Sequence, residues 1–327
     1  MRKTVLALLM VVLCGNGLCQ QTTKKVLFIG NSYTEVNNLP QMTADVARSA
    51  GDRLDQTSNT PGGCTFAGHC QNRSMQLIRE GGWDVVVLQG QSQEPSFPPE
   101  QVAAETFPFA QQLVEAVYRY NDSLVEPMFY MTWGRKNGDA YNAQFYAPLA
   151  TYEGMDSLLY ERYMYMGQAF NASVCPVGRV WHYLRDNHPE IELYQRDESH
   201  PSIAGSYVAA CAFYTMIFEK DPLRITYRPE LDTATAVLIR RAVRSIVYDN
   251  LATWKREGWR DPVGIDAVER TTDRPRGAYQ LYDIMGRPIE RGEEAADFDI
   301  QRRELPKGLY ILRGMKGNWS LKVVKIR

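Results

Sequence analysis

Val85-Val86-Val87-Leu88 is apolar at four successive positions. Side chains alternate between the two faces of a strand, so a run without alternation has both faces buried. Lys25 to Ile29, Glu126 to Thr132 and Ala172 to Val177 read the same way. Between them, apolar residues recur at helical spacing over Leu39 to Ala50, Pro99 to Tyr120, Tyr141 to Phe170, Arg179 to Asn187, Ser202 to Glu219 and Thr233 to Arg256. Doubly buried strands alternating with helices call for a parallel sheet covered on both faces. The expected fold is therefore a three-layer α/β/α sandwich with a central parallel sheet. Functional groups in such sheets gather at the carboxyl edge of the strands.

The two ends of the chain break this pattern. Arg2 and Lys3 precede the apolar run Val5 to Leu13, which is too short to span a bilayer. The small-residue stretch Gly15 to Cys19 follows, so residues 1–19 read as an export leader cleaved after Cys19. A lipoprotein leader acylated at Cys14 or Cys19 is the competing reading. Leucine stands before both cysteines, where such leaders prefer a small residue. Export makes Cys64, Cys70, Cys175 and Cys211 candidates for disulfides, but their spacing leaves pairing and free thiols equally open. From about Ile265 the chain turns to short strand-like runs (278–284, 288–289, 298–300, 309–313 and 320–326) punctuated by Gly286, Gly308, Gly314 and Gly317. This reads as a small C-terminal all-β sandwich. Three parts are expected: a leader at 1–19, an α/β domain at 20–262 and a β domain at 263–327.

Charge narrows the function. The whole chain is near neutral, with 37 Lys+Arg against 38 Asp+Glu. Residues 263–327 hold 13 basic and 10 acidic residues and the leader holds two basic ones, which leaves the α/β domain at −6. Such a domain is a poor partner for nucleic acid. Only four histidines are present, too few for a multi-metal site built on imidazole. His69, His182 and His188 read as surface or partly buried residues.

Four segments fall at expected strand ends. Ser32, in Gly30-Asn31-Ser32-Tyr33-Thr34, follows the first strand and reads as a nucleophile or as a helix cap. Asp197 precedes His200 by three residues, so its carboxylate can fold back to fix the imidazole tautomer. Pro201 is expected as the first residue of the next helix. Gly62-Gly63 lets backbone N–H groups approach a ligand, or makes an ordinary turn. Gln89 and Gln91 could donate to a developing oxyanion, or form a polar loop. After the fourth strand, Trp133 and Arg135 are expected to face substrate, and Tyr141 and Tyr146 could stack on a sugar ring.

Together these segments resemble the SGNH (GDSL-type) hydrolase superfamily from Lys24 to about Pro222. The residues carrying the likeness are Phe28-Ile29-Gly30-Asn31-Ser32-Tyr33-Thr34 through Asn38-Leu39-Pro40, Val87-Leu88-Gln89-Gly90-Gln91-Ser92-Gln93-Glu94-Pro95, Met131-Thr132-Trp133 and Asp197-Glu198-Ser199-His200. The resemblance implies a flavodoxin-like sandwich and ester hydrolysis without metal or organic cofactor. It assigns Ser32 as nucleophile, His200 as base, Asp197 as orienting acid, and Ser32 and Gly63 (or Gly62) as oxyanion donors. The superfamily's third block carries asparagine two residues after its glycine; here that position is Ser92. Gln89-Gly90-Gln91 looks more like the Gln-Gly-Glu block of carbohydrate acetyl-esterases. Gln89 is therefore expected as the side-chain oxyanion donor, Gln91 as second choice, and an acylated glycan or small ester as substrate. The alternative is a non-catalytic carbohydrate-binding or adhesion protein on the same fold.

The tail is similar to C-terminal sorting domains of type IX secretion. Tyr282-Asp283-Ile284-Met285-Gly286-Arg287, Leu305-Pro306-Lys307-Gly308-Leu309-Tyr310-Ile311-Leu312 and Leu321 to Arg327 carry that likeness. It implies secretion or attachment at the outer-membrane surface, with the secretion machinery as partner.

Overall fold

The computed structural model describes residues 21–256, 277–283, 288–295, 298–305, 308–315 and 320–325. The predicted leader and the predicted boundary near residue 262 lie outside the described residues, as do Ile284 to Arg287 of the proposed sorting motif.

Strands β1 (Thr23–Ile29), β2 (Arg53–Asn59), β3 (Val85–Leu88), β4 (Glu126–Tyr130) and β5 (Ser173–Cys175) form one parallel sheet in the order β2-β1-β3-β4-β5. This is the flavodoxin-like order, with its switch point between β1 and β3. The helices are α1 (Ser32–Glu35), α2 (Leu39–Ser49), α3 (Phe66–Cys70), α4 (Arg73–Glu80), α5 (Pro99–Glu105), α6 (Phe107–Tyr120), α7 (Tyr152–Phe170), α8 (Val177–Asn187), α9 (Ile203–Phe218), α10 (Thr233–Ile246) and α11 (Leu251–Trp254).

Both faces of the sheet are covered, as the unalternating runs require. Val26 to Ile29 and Val86 to Leu88 have no exposed surface. Each such side chain contributes roughly 1.5–3 kcal/mol relative to exposure. Helices α2, α8, α9 and α10 pack as one group, and α3, α4, α6 and α7 as another. Phe28 meets Phe213 of α9 edge-on at 5.5 Å. The register then sets up the site. Ile29 pairs with Asn59 on one side and Leu88 on the other, and Leu88 pairs with Phe129. Four strands thus end nearly level, and the loops beginning at Gly30, Thr60, Gln89 and Met131 emerge side by side.

Three helix expectations are corrected. The single helix over 99–120 is broken at Thr106 into α5 and α6, where Pro108 lacks the N–H that would continue it. The helix expected from Tyr141 begins only at Tyr152, because Thr151 caps it by accepting from the Gly154 N–H at 3.1 Å. Residues 134–151 are instead a loop with short 3₁₀ turns at Asn142–Gln144 and Ala147–Ala150. The helix expected to run to Arg256 ends at Ile246.

In the tail, β6 (Tyr279–Asp283), β7 (Pro288–Gly292), β8 (Gly308–Gly314) and β9 (Ser320–Lys325) form an antiparallel sheet in the order β7-β6-β8-β9. Tyr279, Leu281, Ala295, Ile300, Tyr310 and Leu312 make its small core. The strand expected at 298–300 is replaced by a 3₁₀ turn, Ile300–Arg302, which still buries Ile300. Cys64, Cys70, Cys175 and Cys211 are free. No helix among the described residues is long and apolar enough to cross a membrane.

Candidate active site

Ser32 is the first residue of α1, directly after Gly30-Asn31. Asn31 performs the capping: its Oδ1 accepts from the Tyr33 N–H at 3.1 Å. The serine hydroxyl is therefore released from the cap role that the sequence left open, and it lies 2.8 Å from His200 Nε2. His200 Nδ1 lies 2.5 Å from Asp197 Oδ2. A carboxylate can only accept, so Nδ1 carries the proton and Nε2 is left to accept from Ser32. Residues 168 positions apart in sequence are joined in one Ser–His–Asp relay.

Asp197 is held by its own loop. Its Oδ1 accepts from the N–H groups of Ser199 and His200 at 3.1 and 3.0 Å. Partial burial pushes its carboxyl up, but the His200 hydrogen bond and these two N–H groups outweigh that and hold it below the ordinary range. The loop is closed by Gln195 N–H to His200 O and Ser202 N–H to Leu193 O, both 2.8 Å. Glu198 adopts a left-handed φ of 60°, where a non-glycine residue is uncommon. Its carbonyl accepts from the Lys136 N–H at 2.9 Å and its Oε2 from Asn137 Nδ2 at 2.9 Å. Ser202 caps α9 by accepting from the Gly205 N–H, so Pro201 precedes the helix instead of opening it.

Gly62 and Gly63 are exposed, and Gly63 has a φ of +66°, a conformation that suits glycine. The following residue is tied to the Ser32 loop: Asn31 Nδ2 donates to Cys64 O at 3.2 Å and to Gly90 O at 3.1 Å. Asn31 thus joins the loops after β1, β2 and β3. From sequence, Asn31 has no role of its own beyond its place in the 30–34 segment, although asparagine is a favoured cap residue.

Gln89 is a correction. It was expected to offer its amide to an oxyanion, but it is fully buried and both ends of the amide turn inward. Oε1 accepts from the Asn31 N–H at 3.0 Å and from Thr34 Oγ1 at 2.9 Å, while Nε2 donates to Asn31 Oδ1 at 2.9 Å and to Gly90 O. The close approach explains Gly30: a Cβ there would lie 2.7 Å from Gln89 Oε1 and 2.3 Å from Thr34 Oγ1. Gln91, the second choice, is half-buried. Its Oε1 accepts from the N–H groups of Gln93 and Glu94, and among the described residues its Nε2 makes only long contacts of 3.3 and 3.4 Å.

Trp133 is a second correction. It is fully buried between Tyr33 and Trp181, so it cannot face substrate. Arg135 keeps a third of its side chain exposed and bridges loops by donating to Gln93 Oε1 at 2.5 Å. His69, expected at the surface or partly buried, is fully buried with Nδ1 2.8 Å from Ser74 Oγ, and burial pushes its pKa down to about 4. No sequence signal marked it as a core residue. Among the described residues no cluster of three or more His, Cys, Asp or Glu side chains is placed to hold a metal ion.

Glu94, on the turn after Gln91, has a buried Oε2 without a hydrogen-bond partner among the described residues. Burial, with Glu105 adding like charge and Thr106 opposing, pushes its carboxyl from 4.5 up to about 7. A raised carboxyl pKa means that the folded state binds more protons than the unfolded state between these values. Stability therefore falls as pH rises from about 4.5 to 7, and the loss is complete above that. Glu94→Gln is expected to gain about 2 kcal/mol over the wild type at pH 8, with the gap closing by pH 4.5. Urea unfolding at both pH values checks this; an equal gap at both would show that ionisation is not its source.

No family model matches the chain, and no curated protein does. Among solved structures, a DUF4886 family protein from Bacteroides uniformis is similar at a TM-score of 0.59 and 18% identity, covering 68% of this chain and 94% of that one. A putative GDSL-like lipase from Parabacteroides merdae has a TM-score of 0.42 and 10% identity, covering 61% and 97%. An acetyl xylan esterase has a TM-score of 0.44 and 14% identity, covering 58% and 98%. The first of these likenesses is one of fold: this chain and the DUF4886 protein share an α/β architecture.

Proposed function

We propose that the protein is a serine esterase of the SGNH type. The observation that carries this reading is the Ser32–His200–Asp197 relay at the carboxyl edge of the sheet, with 2.8 and 2.5 Å links. His200 removes the Ser32 proton as Oγ attacks an ester carbonyl, and Asp197 stabilises the imidazolium. The N–H groups of Ser32 and Gly63 receive the oxyanion, with Gln91 as the side-chain donor in place of Gln89. His200 then protonates the leaving alcohol, and water releases the acyl group.

The substrate we propose is an acylated carbohydrate, with acetyl as the acyl group. An exposed aromatic pair on the loop after β4 supports this. Tyr141 and Phe145 are 71% and 76% exposed and meet at 6.2 Å, surfaces suited to a sugar ring. Turnover of a chromogenic acetate ester, compared between wild type and Ser32→Ala, tests the esterase reading. Glycan binding by both without turnover by either would replace it with the adhesion reading.

For the tail we propose type IX sorting and delivery to the cell exterior. Deleting residues 263–327 is expected to strand the protein in the periplasm, read by cell fractionation. Surface appearance of the truncated protein would remove this assignment.

A further inference from the structure

Three rings lie parallel beneath the relay. Tyr33 and Trp133 stack at 4.8 Å and 4°, and Trp133 and Trp181 at 3.7 Å and 5°. All three are buried, and Tyr194 closes the stack edge-on against Trp181 at 4.8 Å. The stack draws on four separate parts of the chain: the nucleophile turn, the loop after β4, α8 and the start of the histidine loop. Two of its polar atoms converge on one residue. Tyr33 OH lies 2.7 Å from Ser199 Oγ, and Trp133 Nε1 donates to Ser199 O at 3.1 Å.

We propose that Tyr33 and Trp133 are positioning residues that set the distance between Ser32 and His200 by gripping Ser199. The proposal rests on the reading of Ser32 and His200 as nucleophile and base. Tyr33 is the residue after Ser32, and Ser199 is the residue before His200. The bond between them therefore links the immediate flanks of the two reacting groups.

Burial does not hold the relay in place. The side chains of His200 and Asp197 are 31% and 48% exposed. The histidine loop needs a fixed external reference, because productive geometry tolerates only about 0.5 Å of drift. A ring packed flat between two faces supplies one, and the Tyr33 ring also touches the imidazole edge-on at 5.4 Å. The third hydrogen bond of Ser199, from its N–H to Asp197 Oδ1 at 3.1 Å, carries the same grip to the acid.

Ordinary core packing would make the rings matter and the Tyr33 hydroxyl irrelevant to turnover. Tyr33→Phe keeps the ring and removes the hydroxyl, and Ser199→Ala removes its partner. Each is expected to lower kcat for an acetate ester about 10-fold with KM within about 2-fold of wild type. The double variant should be no worse than the more impaired single one, because both remove the same bond. Ser199→Thr restores a hydroxyl and should recover most of the rate. Trp133→Phe, which loses only the Nε1 donor and part of a ring, should also lower kcat at unchanged KM. Wild-type kcat in both Tyr33→Phe and Ser199→Ala, or losses that multiply in the double variant, would overturn the proposal. Ser32→Ala separates the two failures: activity surviving in that variant overturns the underlying nucleophile reading instead.

Discussion

Ser32→Ala is expected to lower turnover of short-chain esters by at least about 10³-fold while leaving the fold intact. Among the described residues the Ser32 hydroxyl has one hydrogen-bond role, the 2.8 Å contact to His200. The cap of α1 is supplied by Asn31, so the serine hydroxyl carries none of that duty. Alanine is also a good residue for a first helical turn. The variant should therefore unfold within about 1 kcal/mol of wild type. Its remaining activity would come from the oxyanion donors and substrate binding, which persist without the nucleophile. Ester turnover beside urea unfolding decides the matter. Near-wild-type turnover in a folded variant would show that Ser32 does not attack the ester.

The fold was legible because its signal is local. Val85 to Leu88 needs no partner to announce that both its faces are buried, and the structure pairs it between β1 and β4. The approach of Asp197 to His200 was legible for the same reason, since three residues of loop can bring them together. Meetings across long sequence separations were harder to read. Gln89 and Asn31 are 58 residues apart, and neither neighbourhood says that their amides pair. Trp133 was read from its place after β4, where loops face substrate, but Tyr33 and Trp181 cover both of its faces. His69 differs again: its partner Ser74 is only five residues away, but the layers that bury it come from tertiary packing. Helical periodicity over 141–151 misled for another reason. Asp139 accepts there from the Asn142 N–H and side-chain amide at 3.2 and 2.7 Å, local bonds that compete with a helix.

Gln89→Leu separates a structural amide from a catalytic one. Leucine nearly conserves the volume but leaves the Asn31 N–H and the Thr34 hydroxyl without the acceptor that Gln89 gives them, while the Gly90 carbonyl keeps its bond from Asn31 Nδ2. Each buried group left unsatisfied costs roughly 1–3 kcal/mol, so the variant is expected to lose about 4 kcal/mol of stability. Its kcat should fall too, because Asn31 holds the turn that presents Ser32 and anchors Cys64 beside Gly63. A pure oxyanion donor behaves differently: its loss costs roughly 10²–10³ in kcat while the unfolding midpoint stays in place. Measuring both quantities distinguishes the roles. A 10²-fold fall in kcat at an unchanged urea midpoint would return Gln89 to the oxyanion hole and require its amide to turn outward. A large drop in the midpoint with loss of rate, alongside a Gln91→Ala variant that keeps its stability and loses kcat, would place the side-chain donor at Gln91 and leave Gln89 as the group that holds the nucleophile turn together.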